Sequence, residues 1–238
     1  MKKLATAMLG TALIMASVSC KKDEIGKGII ATEKRVVADF SGIDLNMNGN
    51  VYYSYAESPA VEITAKEGTI SELETTIVAD KLVIRFKNGD PYGSNENIRV
   101  DVYGPQLNSL SLSSSGSIFC LSNVQSDNLV LRTTASGNIQ LKDVTANSID
   151  AACTASGSIT ATGGMAAHEQ LKTTASGKID FAAVASNTSV VDALASGDVK
   201  VKVSDSLTVK IDGSGSVYFS GYPLISTQIS GSGRLVRL

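Results

Sequence analysis

The sequence predicts an all-β protein: a single-stranded, right-handed parallel β-helix with coils of about 20 residues, preceded by an irregular β-rich part. Three observations carry this. Ser-Gly recurs seven times, at Gly116, Gly137, Gly157, Gly177, Gly197, Gly215 and Gly233, with steps of 21, 20, 20, 20, 18 and 18 residues. An aliphatic residue stands two positions after each glycine: Ile118, Ile139, Ile159, Ile179, Val199, Val217 and Leu235. Between copies the hydrophobic period is two, as in strands, rather than 3.6.

Counting from each glycine gives a register. Offset +4 carries Cys120, Leu141, Ala161, Phe181, Val201 and Phe219, and offset −6 carries Leu110, Leu131, Ala151, Leu171, Val191 and Val209. Odd offsets carry the polar set, such as Arg132, Lys172, Asp192 and Lys210 at −5. Successive side chains in a strand point to opposite faces, so even offsets face inward and odd offsets outward. The right hand follows from the handedness of parallel β crossovers. The seven glycines are read as structural turns, with glycine supplying backbone angles that other residues reach only with strain. The serine before each can hydrogen-bond at the turn.

Residues 1–19 read as a signal peptide, with Lys2 and Lys3 ahead of an apolar run from Leu4 to Val18. Cys20 follows Val18-Ser19 and is read as a lipidation site that anchors the chain to a membrane. Residues 20–32 form the tether, 33–105 an N-terminal β-rich cap or early coils, and 106–238 the regular repeats. Within the N-terminal part, Leu45–Tyr53, Val61–Ala65 and Lys81–Phe86 alternate on a period of two. Gly49-Asn50-Val51 has the repeat's form and is a candidate early rung, and Asn88–Gly93 reads as an exposed loop.

Composition narrows the function. Net charge is −2 with interspersed signs, which points away from a nucleic-acid partner. Tryptophan is absent and aromatics are 5%, which argues against a cleft that stacks sugar rings. His168 is the only histidine, so a Ser-His-Asp triad would have to use it, yet Gly163–Glu169 reads as a loop. One histidine also excludes a multi-histidine zinc site within one chain. Cys120 and Cys153 fall on different inward ladders and read as buried apolar groups rather than a disulfide. Asp180, Asp192, Asp198 and Asp212 are outward but scattered over offsets, whereas glycoside hydrolysis needs a carboxylate pair about 5 or about 6.5–9.5 Å apart. Thr134, Thr154 and Thr174 form an outward ladder at −3, a pattern common on strand surfaces. Neither a catalytic residue nor a metal or cofactor site is assigned.

The leader, the Arg35…Phe40-Ser41-Gly42-Ile43 opening, Ile77-Val78…Leu82-Val83-Ile84, Val102–Leu107 and the serial Ser-Gly-x-Ile copies together resemble the auto-transporter adhesin, head-GIN-domain family over about residues 33–238. The resemblance implies a right-handed β-helix of the cell envelope with an adhesion role and no established catalytic residues. The chain is therefore expected to be an exported lipoprotein of the outer membrane or cell surface, non-enzymatic, binding a glycan or a host or envelope protein. The alternative is a carbohydrate-active β-helix enzyme or polysaccharide-binding module. Self-association is left open by the strand edges of the end coils. Residues 33–105 are expected to cover one end, and Arg234 and Arg237 to blunt the other.

Overall fold

The structure, a computed structural model, describes residues 25–89 and 97–238. Cys20 and the signal peptide lie outside the described residues, as does part of the Asn88–Gly93 loop. The rest is a parallel β-solenoid of about six turns.

The chain enters through β1 (Ile30–Val36), β2 (Gly42–Asn46), β3 (Asn50–Tyr55) and β4 (Ala60–Lys66), followed by one short helix, α1 (Glu67–Glu72). Three more strands follow: β5 (Leu73–Val78), β6 (Lys81–Phe86) and β7 (Arg99–Gly104). The stacking order here is not the chain order. The coil made by β2 and β3 sits between the later β6–β7 coil and the still later coil begun by β8 (Ser109–Leu112) and β9 (Ser117–Thr133). Asn50 and Val51 lie in register with Ser117 and Ile118. Beyond β6 and β7 the pairing turns antiparallel: β5 lines β6, β4 lines β7 and β1 lines β4.

From β9 onward, chain order and stacking order agree. β10 (Asn138–Cys153), β11 (Ser158–Ala161) with β12 (Gly164–Thr173), β13 (Lys178–Ala193), and β14 (Val199–Gly213) stack in parallel. The last coil is β15 (Val217–Ser220) with β16 (Leu224–Gly231), and β17 (Leu235–Arg237) closes the chain. Each coil has three straight segments, seen where β10 pairs with β9 over 138–141, 143–146 and 148–153. The uneven repeat steps are absorbed locally. The 21-residue step slips register between Leu141 and Asp143, and the first 18-residue step slips between Asp180 and Thr188.

The inward ladders form one continuous core. Ile118, Ile139, Ile159, Ile179, Val199 and Val217 are essentially without exposure, and the +4 and −6 ladders are buried alongside. Burying an aliphatic side chain is worth about 1.5–3 kcal/mol, so repetition of these ladders dominates stability. At the N-terminal part Tyr53 is fully buried, and its hydroxyl donates to the Pro105 carbonyl at 2.6 Å.

Two readings change. Gly163–Glu169 is not a loop: β12 begins at Gly164, and His168 sits on that strand. The bend lies at Thr162 and Gly163, and Gly164, with a φ of +130° and its backbone against that of Val144, has no room for a side chain. The seven repeat glycines are also needed for a different reason than backbone angle, since none of them has a left-handed φ. Each is buried against the coil beneath. A Cβ on Gly137 would lie closer than 3.0 Å to the Gly116 carbonyl oxygen; on Gly157, to that of Gly137; on Gly197, to that of Gly177. Glycine recurs because neighbouring coils touch backbone to backbone at this corner.

Candidate interaction surface

The glycine corner holds the third segment of each coil, and this segment supplies long outward rows. In the strand register Arg132, Ala152, Lys172, Asp192, Lys210 and Gln228 follow one another along the solenoid. A second row runs Val130, Asp150, Gln170, Val190, Thr208 and Ser226. Thr134, Thr154 and Thr174 are exposed at the rim of the same side. Successive coils are about 4.8 Å apart, so this is a regular lattice of short polar groups and spaced charges.

Arg132 and Asp150 are engaged with each other, whereas Lys172, Asp192 and Lys210 only alternate in register. Arg132 donates to the Asp150 carboxylate and, at 2.7 Å, to the Asp150 carbonyl. Asp192 lies between Lys172 and Lys210, and Asp212 accepts from the Ser230 hydroxyl at 2.6 Å. On the first side, Lys200 pairs with Asp180 at 2.8 Å, and Asp198 accepts the Ser216 amide at 2.9 Å. Further along that side Arg99 stacks over Tyr52 at 3.9 Å, and Tyr52 stacks on Phe119 with ring centroids 5.0 Å apart. These exposed contacts tie coil to coil and contribute little individually.

The residues singled out from the sequence do not converge. Each serine of the Ser-Gly pairs is exposed at its corner, one per coil. His168 is exposed and its Nδ1 lies 2.8 Å from the Thr188 hydroxyl. Cys120 and Cys153 are free and buried, and burial pushes the Cys120 thiol up to about 12. Among the described residues no three His, Cys, Asp or Glu side chains come together as a metal site would need. An open hollow of about 580 Å³ is lined by Gln106, Gln125, Ser126, Asp127, Thr145 and Asn147.

One group escaped the sequence reading. Glu169 on β12 points into the solenoid, 3% exposed, between Ile149 and Ser189 of the adjacent coils. Neither carboxylate oxygen makes a well-formed hydrogen bond. The nearby Ser186 hydroxyl is already committed to the Lys202 carbonyl at 3.2 Å. Burial therefore pushes the carboxyl up to about 7, with Ser186 and Ser189 pulling weakly the other way. The signal was available: Glu169 lies eight residues before Gly177, an inward offset.

The family model described as "Putative auto-transporter adhesin, head GIN domain" matches residues 39–223. The chain belongs to this family. The match takes in β2 to β15, including the permuted early coil, and an adhesin family is one of surface-acting proteins. Three solved structures share the fold. A "putative adhesin" from Bacteroides fragilis superposes with a TM-score of 0.82 at 19% identity, covering 89% of this chain and 98% of its own. A "putative lipid binding protein" from Parabacteroides distasonis gives 0.70 at 20% identity, covering 90% and 98%. A "putative adhesin" from Parabacteroides merdae gives 0.67 at 20% identity, with the same coverage. No curated protein matches the chain by sequence.

Proposed function

We propose that the protein is a non-enzymatic, lipid-anchored surface scaffold whose solenoid presents its third side to a glycan or an envelope or host protein. The observation that carries this reading is the shape of that side. Its groups are distributed one per coil over six coils, with arginine and lysines balanced by aspartates rather than gathered around a pocket. Such a lattice suits extended contact, in which many weak polar contacts add up, better than it suits a single reacting bond. Cys20 supplies the membrane anchor and the residues after it the tether.

A second reading, a polysaccharide-binding module, is favoured by the open hollow around Gln125 and Asn147. It offers amides and hydroxyls, the groups that match sugar hydroxyls, with one carboxylate at Asp127. A glycan and matrix-protein array probed with residues 21–238 tests both readings. Selective, saturable binding supports the scaffold; binding restricted to polysaccharides favours the second reading; cleavage of an arrayed sugar contradicts the non-enzymatic assignment.

A further inference from the structure

The two poles of the solenoid are built differently. At the N-terminal pole β1 is outermost on the side of the first segments and carries Glu33, Lys34 and Arg35, and β5 is outermost on the side of the third segments. Arg35 reaches across to donate to the Leu73 and Ile70 carbonyls at 3.0 and 3.1 Å, and Ile70 of α1 is buried there. Charge on an edge strand and a helix beside it are the usual ways to prevent a sheet from growing.

The C-terminal pole lacks these devices along one whole side. β16 (Leu-Ile-Ser-Thr-Gln-Ile-Ser-Gly) has no charged residue, and all eight residues are exposed. Among the described residues it pairs only with β14, so its other edge is unpaired. Its inward-facing members continue buried ladders: Ile225 stacks on Leu207, Thr227 on Val209 and Ile229 on Ile211. These ladders therefore end in water, with Ile225 and Ile229 still 47% and 46% exposed. Arg237 does blunt this pole, but only on the β15–β17 side. There it lies 3.9 Å from the Tyr222 ring and 5.9 Å from the Phe219 ring, and donates to the Gly221 carbonyl.

We infer that the β16 edge is the docking surface for a second copy of this chain, paired antiparallel about a twofold axis at Thr227. The segment Ile225-Ser226-Thr227-Gln228-Ile229 reads nearly the same in both directions. In that register Thr227 faces its own counterpart, and Ile225 of each copy faces Ile229 of the other. All of these side chains stay on the inward side, because a twofold rotation normal to the sheet keeps the two faces of an antiparallel pair apart. Both copies continue their core ladders into each other, and the unpaired backbone groups of both edges are satisfied. No charge is buried, since the strand carries none. On the same side the N-terminal pole ends in β5, over whose edge Arg35 lies, donating to the Leu73 carbonyl at 3.0 Å and the Thr75 hydroxyl at 3.3 Å. Head-to-tail stacking would press the apolar β16 edge against that guanidinium, so the assembly closes at two copies instead of growing into a fibre. The N-terminal segments of the pair, fixed near α1 by the Gly26 amide on the Thr69 hydroxyl, then leave from opposite poles.

Light scattering after gel filtration, applied to residues 21–238, tests the inference. The wild-type chain is expected to run as a dimer. Thr227→Lys, which sets two ammonium groups face to face, is expected to run as a monomer with unchanged circular dichroism. Independently, Thr227→Cys should form an intermolecular disulfide under mild oxidation, because directly opposed strand residues lie within disulfide reach. Val190→Cys, on the flank two strands from the edge, should not cross-link. Native Cys120 and Cys153 are buried and do not compete. A wild-type chain that stays monomeric at its highest soluble concentration overturns the proposal. So does a dimer that survives Thr227→Lys and leaves Thr227→Cys uncross-linked.

Discussion

Glu169 is the residue at which this sequence departs furthest from its own pattern. An inward ladder of Leu129, Ile149 and Leu207 is interrupted by a carboxylate and Ser189. With its carboxyl raised from 4.5 to about 7, the folded state holds a proton that the unfolded chain releases. The contribution of Glu169 to stability is then fully present below about pH 4.5, is lost as pH rises to about 7, and is constant above that. The penalty at alkaline pH is on the order of 3 kcal/mol. Glu169→Gln is expected to be more stable than wild type at pH 8 and nearly equal to it at pH 4, as read from urea midpoints at both pH values. Equal midpoints at pH 8 would mean that the carboxylate is not buried as described. The sequence carried the warning in its offset, but the Gly163-Gly164 pair masked it. Two glycines read as a loop, whereas the bend ends at Gly163 and the strand resumes at Gly164.

Among elements, the coil is the unit, and what holds one coil on the next is the glycine corner. The period, the inward ladders and the parallel stacking were all legible, because a solenoid repeats its local rules every turn. The cause of glycine was not legible. Close approach between backbones and a left-handed φ both select glycine, and only coordinates separate them. The distinction is testable. Gly157→Ala should cost at least about 1–3 kcal/mol, because the new Cβ meets the Gly137 and Ala135 carbonyl oxygens with nothing flexible to move. Gly163→Ala should be nearly neutral, since its Cβ would make only ordinary contact with Asp143. Thermal melts of the two variants distinguish these cases. Similar losses in both would contradict the packing explanation.

At the scale of the whole molecule, the early coil escaped the period because it is out of order. Val51 stacks on Ile118, 67 positions later in the chain, and on Val100 on its other side. A repeat search along the sequence sees only consecutive coils, so Gly49-Asn50-Val51 could be noticed but not placed. The antiparallel strands β1, β4 and β5 carry no repeat signal at all. Lipidation of Cys20, outside the described residues, is a proposal that rests on export. Cys20→Ala is expected to move the protein from the membrane fraction to the soluble exported fraction, as read by fractionation and immunoblotting. Retention in the membrane would remove lipidation from the account.

The central claim is that function lies on the third side of the solenoid. It is tested most directly by measuring the affinity of residues 21–238 for the ligand selected on the array, beside the variant Lys172→Glu/Lys210→Glu. Both lysines are exposed, so the fold should be unaffected. The account predicts a loss of affinity of about tenfold or more, the effect of removing a little over 1 kcal/mol of polar contact. Unchanged affinity in a folded variant would place the binding surface elsewhere and contradict it.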